Sequence, residues 1–205
     1  TLFPPDGNSS ASDYQTPYNS IGAGPVNNLA SKLLLALIPP NAPFFRLKID
    51  DFVLKDMEGD ENLKTELEKG LSQVEKAVMT NIETGADRVA IFEALKLLIV
   101  GGNCLLFVGE EGVRVFSLDR YVVKRDPMGN VLEIITKESL AYNSLDLEIQ
   151  ELIQEEYKSD DKNCELYTHI KREKDKYYVY QEIHGKIIPK SQGVFALDKS
   201  PYIPL

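Results

Sequence analysis

A strongly apolar segment near the start of the chain, GPVNNLASKLLLALIPP at residues 24–40, limits the possible folds more than any other feature. Apolar side chains recur in it at helical spacing: Val26, Leu29, Ala30, Leu33 and Leu37. Pro25 suits the first position of a helix and Pro39 stops one, so we predict a helix over residues 25–38. Further leucines extend its apolar surface, and helices that are apolar nearly all round are buried. We therefore expect another surface, such as a second subunit, to cover this helix.

The length and composition are those of a globular protein. The 205 residues fit one domain or two small ones, and 43% of them are hydrophobic. The longest apolar run, residues 33–40, is far shorter than the roughly 20 residues that a bilayer span needs, so no membrane association is predicted. The chain starts at Thr1 without a methionine and shows no secretion signal, and we expect it to be a trimmed piece of a longer protein.

The charge of the chain limits its partners. It has 32 Asp and Glu against 23 Lys and Arg, a net charge of −9. Tight nonspecific DNA binding depends on clustered basic side chains that release counterions, and the sequence has no such cluster. Acidity does not exclude every DNA partner, because a channel through which DNA must slide benefits from repelling the phosphates. For most of the carboxylates, however, we expect only a solvated surface that keeps the protein soluble.

Helical patterns dominate the first half. Residues 1–24, rich in Pro, Gly, Ser and Asn, are predicted to form an extended arm, and residues 25–102 a helical part. A helix over about 61–83, with Asp60 as its N-cap, carries an apolar stripe: Leu63, Leu67, Leu71, Val74, Val78 and Ile82. A third helix, about 86–100, is predicted to begin with a Thr84-x-x-Asp87 capping box and to end at Gly101-Gly102.

Strand patterns dominate residues 103–205, which are predicted to be antiparallel and β-rich with one helix at 144–156. Alternating apolar residues and turn residues predict seven strands: 105–109, 113–116, 121–124, 131–136, 165–171, 176–183 and 186–190. Residues 44–53 are predicted to be a short strand or extended crossing. Helices followed by antiparallel strands indicate the α+β fold class.

No catalytic, cofactor or metal site is predicted. The GAGPVN run at residues 22–27 lacks the last glycine of a dinucleotide fingerprint, and the DMEGDE run at 56–61 lacks the glycine and glutamate spacing of a calcium loop. His169 and His184 lie at opposite ends of a predicted hairpin and are expected to be exposed. Two cysteines are too few for a disulfide framework, and Cys104 is expected to be a buried thiol. We therefore expect the protein to be synthesised in a reducing compartment.

Several tyrosines lie on the last predicted hairpin: Tyr167, Tyr177, Tyr178 and Tyr180. Tyrosines stack on bases in basic grooves, and Lys171, Arg172, Lys174 and Lys176 are near. Acidic residues offset these bases, and tyrosine also suits strands and subunit interfaces. We therefore favour sheet or subunit packing over nucleic-acid stacking.

Three blocks carry a family resemblance: residues 14–47 (YQTPYNSIGAGPVNNLASKLLLALIPPNAPFFRL), 91–108 (IFEALKLLIVGGNCLLFV) and 117–140 (SLDRYVVKRDPMGNVLEIITKESL). Taken together, in this order, they resemble the N-terminal region of the portal, or head-to-tail connector, proteins of short-tailed phages (podoviruses). The resemblance covers most of residues 13–142. Members of that family are more than twice as long, so the resemblance implies an N-terminal portion.

The resemblance implies a non-enzymatic virion subunit in a dodecameric ring at one capsid vertex, made in the host cytoplasm. The ring would contact the capsid protein, a separate packaging ATPase and tail proteins, and double-stranded DNA would pass through it without sequence-specific contacts. Helices 25–38 and 61–100 would belong to its outer, wing-like body. Polar residues that flank the apolar helix are the expected subunit contacts: Asn27, Asn28, Lys32 and Arg46.

Two other function classes remain as alternatives. One is a small acidic adaptor that binds protein partners as a monomer, which would show no ring by electron microscopy. The other is a hydrolase with an unrecognised site, which no motif supports and which an activity panel would reveal.

Overall fold

The computed structural model describes residues 21–40, 42–50, 61–154 and 163–205, and its helices precede its antiparallel strands. The predicted α+β class is confirmed. The chain divides into two compact units. Among the described residues, the helical unit comprises those from 21 to 102 together with Gly109–Arg114, and the β unit comprises Asn103–Val108 and the described part of Val115–Leu205. The predicted Asp60 cap and most of the predicted arm lie outside the described residues.

The described residues of the helical unit form three helices: α1 (Ala23–Leu37), α2 (Glu61–Thr84) and α3 (Asp87–Gly101). Helix α1 packs on α3, with Ala30 fully buried between them. The segment 42–50 contains no strand, and the rest of the crossing predicted at 44–53 lies outside the described residues. The segment 42–50 instead lies alongside α2, where the Leu47 N–H donates to Glu75 Oε1 at 2.6 Å.

The helix ends correct two details of the sequence prediction. Helix α1 begins at Ala23, two residues earlier than predicted, so Pro25 is its third residue and still within the first turn, where a missing N–H does no harm. The Thr84–Asp87 capping box is wrong, because Thr84 Oγ1 donates back to the Thr80 carbonyl and Asp87 has a tertiary partner. Gly102 does end α3 in the left-handed conformation, with φ 74° and its N–H on the Leu98 carbonyl.

The described residues after Gly102 form nine strands and a short helix. The strands are β1 (Leu105–Gly109), β2 (Gly112–Phe116), β3 (Tyr121–Arg125), β4 (Val131–Ala141), β5 (Asn163–Glu173), β6 (Lys176–Ile183), β7 (Lys186–Ile187), β8 (Gly193–Ala196) and β9 (Tyr202–Pro204). Helix α4 (Leu147–Ile153) follows a 3₁₀ turn at Tyr142–Ser144. It is shorter than the predicted 144–156 helix, whose last two residues lie outside the described residues.

The strands form two antiparallel sheets. A three-stranded sheet has the order β2-β1-β9, and a six-stranded sheet has the order β3-β4-β5-β6-β7, with β8 also paired to β6. Strands β7 and β8 cover different halves of the same edge of β6, because β7 pairs with residues 182–183 and β8 with residues 176–179. The pairing of β3 with β4 shifts register between Lys124 and Arg125.

Local turn chemistry sets the hairpins. Gly129 donates to the Asp126 carbonyl at 2.9 Å, which closes the turn between β3 and β4. Asp126 also accepts the side-chain and backbone N–H groups of Asn130, which lower the pKa of its carboxyl. Between β6 and β7, His184 and Gly185 have φ 51° and 76°, and two positive φ angles match the twist of a tight hairpin.

Two apolar clusters form the core of the β unit on one face of the large sheet. The first contains Leu105, Phe116, Tyr121, Ile134, Ile170 and Tyr177. The second lies beneath α4 and contains Ile153, Cys164, Leu166, Ile183 and Ile188. A polar row separates them, in which Gln181 Nε2 donates to Thr168 Oγ1 at 3.2 Å beside buried Thr136. The alternation of β5, with every second residue buried from Cys164 to Ile170, places its other residues on the opposite face.

Candidate assembly surface

The outward face of α1 is the first part of the candidate site. Its inward side chains, Val26, Ala30, Leu33 and Leu34, are at most partly exposed, whereas the opposite face is open. There Leu29 and Leu35 keep 47% and 54% of their surface exposed beside Asn28 and Lys32. Lys32 is the single charged residue of the helix. The face therefore combines exposed leucines with one cation and one amide.

The apolar stripe of α2 is the second part. Its 24 residues make a rod about 36 Å long. The exposed fractions along the stripe are 43% for Leu63, 40% for Leu67, 50% for Val74 and 40% for Val78. No side chain of α2 is buried among those that the structure describes. A Cβ built on Gly70, in the middle of the stripe, would meet no atom within 4 Å, so the space beside it is open.

A groove runs along another side of α2. The segment 46–49 forms one wall, Lys64, Glu68, Leu71, Ser72 and Glu75 form the other, and the volume is about 560 Å³. Arg46 lies in this wall with an exposed side chain. The contact between the Leu47 N–H and Glu75 fixes the wall, so the groove has mixed charge and a defined shape.

Two buried polar contacts fix the helical unit internally. Asp87 is 7% exposed and its Oδ1 accepts the Val113 N–H at 2.8 Å, within the same unit. A Cβ on Gly112 would lie 2.8 Å from that oxygen, and its φ of 119° also favours glycine. Arg88 Nη1 donates to the Ile38 carbonyl at 2.9 Å, just beyond α1, where a cation also suits the helix dipole. These contacts hold the helices while leaving their outer faces open.

The predicted contact residues occupy two places. Asn28 and Lys32 line one shallow depression with Gly24, Pro25 and Leu29. The exposed Asn27 lies beside it on α1 and accepts the Ser31 hydroxyl at its carbonyl. Arg46 lines the groove on α2 instead. A role of these four residues in subunit contact stays a prediction.

The titratable groups of the β unit are engaged in packing. His169 is 16% exposed at its side chain, so the prediction that it is exposed is wrong. Its ring stacks on Tyr180 with centroids 4.7 Å apart, and its Nε2 lies 3.2 Å from Glu182 Oε1 without hydrogen-bond geometry. His184 is exposed in its turn, as predicted.

Both cysteines are buried free thiols, as predicted for Cys104, and burial raises the pKa of the Cys104 thiol. Within the described ranges, no group of three or more His, Cys, Asp or Glu side chains is placed to hold a metal ion. The helices of those ranges also include none that is long and apolar enough to cross a membrane.

Two tyrosines of the last hairpin, Tyr177 and Tyr167, make contacts within the sheet, whereas Tyr178 is 43% exposed. Tyr177 is in the core and donates to the Val131 carbonyl at 3.0 Å. On the opposite face, Tyr167 donates to Glu165 at 2.7 Å, and Lys137 approaches the same carboxylate at 2.6 Å. Both contacts, with that from Lys137 the stronger, lower the pKa of Glu165.

The sequence predicts that another surface, such as a second subunit, covers α1, and it predicts an apolar stripe on α2. It does not indicate that Leu29, Leu35 and four members of the α2 stripe are the side chains left exposed. Their spacing predicted an apolar stripe, but spacing alone does not indicate which stripe the rest of the chain leaves uncovered.

Comparison with known proteins gives consistent relatives. The family described as "Bacteriophage head to tail connecting protein" matches residues 3–205. The portal protein of Escherichia phage T7 is 38% identical over 100% of this chain and 40% of its own length, and that of Enterobacteria phage T3 is 37% identical over the same shares. The portal protein of Pseudomonas phage phiKMV is 32% identical over 91% of this chain and 38% of its own. The chain thus spans about two fifths of the length of these curated relatives.

Proposed function

This chain belongs to the bacteriophage head-to-tail connecting protein family, and we propose that it is the N-terminal part of a structural portal subunit. As such it helps to build the conduit through which viral DNA is packaged and ejected, and to which tail proteins dock. The role is structural and requires no active site. The named portal relatives support this proposal.

The observation that carries the proposal is the uncovered apolar surface of the helical unit. Leu29 and Leu35 on α1, and four side chains of the α2 stripe, are each 40% to 54% exposed in the single chain. Contiguous exposed apolar surface of this kind marks contact sites between proteins. A subunit that functions inside a ring is expected to carry such a surface, because the next copy removes it from water.

The proposed assembly is a dodecameric ring at the portal vertex of the virion, made from subunits synthesised in the host cytoplasm. Its partners are the capsid protein, a separate packaging ATPase, tail proteins and double-stranded DNA in transit. The described residues of each unit carry nearly balanced numbers of Lys and Arg against Asp and Glu, and the chain as a whole has a net charge of −9. Contacts with DNA that depend on base sequence are therefore not part of the proposal.

The chain is proposed to divide by role. The helical part at residues 25–102 belongs to the outer, wing-like body and carries the subunit contacts, among them Asn27, Asn28, Lys32 and Arg46. The β-rich part at residues 103–205 supplies a self-supporting scaffold, and residues 1–24 form an arm. Polar groups on an apolar helix face suit such contacts, because they set the register between subunits.

The test is the quaternary state of the complete gene product. Size-exclusion chromatography with light scattering, followed by electron microscopy of the main peak, should show closed rings. Labelling of the virion with an antibody against α2 or a tag on the protein should mark the vertex where head meets tail. A monodisperse monomer without rings, together with label elsewhere in the virion or none, would refute the proposal and favour the monomeric adaptor.

A further inference from the structure

The helical unit exposes two different apolar faces, and we infer that they are the two halves of one contact between neighbouring copies. The outward face of α1, centred on Asn28 and Lys32, receives the α2 stripe of the next copy. This inference rests on the proposed function, because it names the partner surfaces within the proposed ring.

Symmetry requires two different surfaces. In a ring of more than two copies, each subunit meets its neighbours through heterologous contacts, so one patch must fit a different patch of the same chain. The helical unit provides such a pair: α1 leaves Leu29 and Leu35 exposed, and α2 leaves Leu67 and Val74 exposed. One stripe packing on its own copy would give a dimer instead.

Each of the two faces carries small residues beside large ones. On α1, Ser31 and Ala36 are small and exposed beside the leucines, and a Cβ built on Gly24 would meet nothing within 4 Å. On α2, the open space at Gly70 lies between larger stripe residues. Helices pack at about 8–10 Å where small residues let larger ones from the partner interdigitate. Each face therefore offers both projections and recesses.

The charges are complementary. Lys32 is the single charged residue of α1 and lies on its outward face. Glu66 is exposed on α2, three residues after Leu63 and four before Gly70, which places it along the border of the stripe. A Lys32–Glu66 pair would join the outward face of α1 to the border of the α2 stripe, and such pairs set orientation more than affinity.

A charge-reversal series in the complete subunit tests the pairing. Lys32→Glu and Glu66→Lys should each raise the concentration at which rings half-dissociate by about tenfold or more, because like charges then face each other across the contact. The double variant should recover most of that loss. Lys76→Glu is the matched control, since Lys76 is exposed on α2 but points away from the stripe, and it should leave assembly unchanged.

A second variant separates assembly from folding. Gly70→Leu replaces a poor helix former and fills open space, so the helical circular dichroism of the single chain should be kept or increased. In the ring, the same side chain would occupy the recess for α1, and the ring fraction should fall. Normal rings with Gly70→Leu, or no recovery in the charge double variant, would overturn the inference.

Cross-linking gives direct evidence on which faces meet. The double variant Asn28→Cys, Glu66→Cys with a short bis-maleimide should give a ladder of multimers on denaturing gels, while either single variant should stay monomeric. A ladder from Asn28→Cys alone would show α1 against α1 and overturn the pairing. If the unmodified protein forms no rings, the proposed function fails; if it forms rings but no variant affects them, only this inference fails.

Discussion

The two units of this chain bury their apolar residues to very different extents. In the β unit, Ile134, Ile170, Ile183 and Ile153 are at most 1% exposed. In the helical unit, the buried apolar residues of the described ranges are Ala30, Ile38, Ala94 and Leu95, while the large side chains of α1 and α2 stay accessible. The β unit thus buries several large side chains completely, whereas the helical unit leaves the large side chains of α1 and α2 at least partly exposed.

The difference has a physical origin in the two kinds of element. A sheet with one covered face turns half of its side chains inward at once, and long neighbours such as β4 and β5, each of 11 residues, cover one another along their whole length. A long helix such as α2 needs a partner along each apolar stripe, and its own unit supplies one only in part. Stability is therefore concentrated in the β unit, and capacity for contact in the helical unit.

The largest expected effect compares a core residue with a stripe residue in the unassembled chain. Ile170→Ala should lower the free energy of unfolding by about 3 kcal/mol, because it leaves a cavity in a fully buried cluster. Leu67→Ala in α2 should cost less than half as much, because 40% of Leu67 is already exposed to water. Urea denaturation followed by circular dichroism measures both. Equal losses would contradict the comparison.

The next prediction tests the hydrogen bond between Asp87 and the Val113 N–H in the helical unit. Asp87→Ala leaves the Val113 N–H without its acceptor and should cost about 2 kcal/mol. Gly112→Ala should cost a similar amount, because a Cβ would lie 2.8 Å from Asp87 Oδ1 at a positive φ. The double variant should cost less than the sum, since removing the carboxylate also removes the clash. Strict additivity in a thermal or urea series would show that the two residues are uncoupled.

A smaller effect is expected from one hydroxyl in the core of the β unit. Tyr177→Phe keeps the buried ring and removes the hydrogen bond to the Val131 carbonyl, so the free energy of unfolding should fall by about 1 kcal/mol. Tyr178→Phe is the matched control, because the adjacent ring is 43% exposed and its change should fall within error. Equilibrium denaturation of both variants, under one set of conditions, decides between them.

The smallest effect is the pH dependence of the open sheet face. Lys137 and Tyr167 lower the folded-state pKa of Glu165, so its stabilising contribution is present above the unfolded-state pKa and is lost as the pH falls through the folded-state value. Glu165→Gln should therefore cost less than about 1 kcal/mol at neutral pH, since both ionic side chains are over 40% exposed. Its difference from the unmodified chain should vanish in acid and shrink in high salt. If Glu165→Gln still lowered the free energy of unfolding at low pH, the loss would come from packing and not from charge.

The sequence predicted elements whose signals are local. Strands β1 and β6 and the turn at Asp126–Gly129 follow from alternation and turn residues a few positions apart. Strands β8 and β9 were missed, because each is only three or four residues long and exists through pairing with distant segments, such as Ile203 with Leu106. The strand predicted at 186–190 is shorter than expected for the same reason: it ends at Ile187, where its pairing with β6 stops.

The candidate site was predictable only in part. The sequence indicated an apolar α1 with polar flanks at Asn28 and Lys32, and the structure places both on the open face. It did not indicate that the α2 stripe stays accessible, because that depends on which neighbours the folded unit lacks. It also misassigned Asp87 to a local cap, since its partner Val113 is 26 residues away.

The edges of the large sheet affect how readily free chains aggregate. At one edge of the sheet, two very short strands, β7 and β8, pair with β6. At the other edge lies the five-residue strand β3, which ends with Lys124 and Arg125, where the pairing with β4 shifts register. Short, charged and irregular margins make poor templates for sideways growth into fibrils. Newly made chains at high concentration should therefore be protected from edge-to-edge aggregation through this sheet.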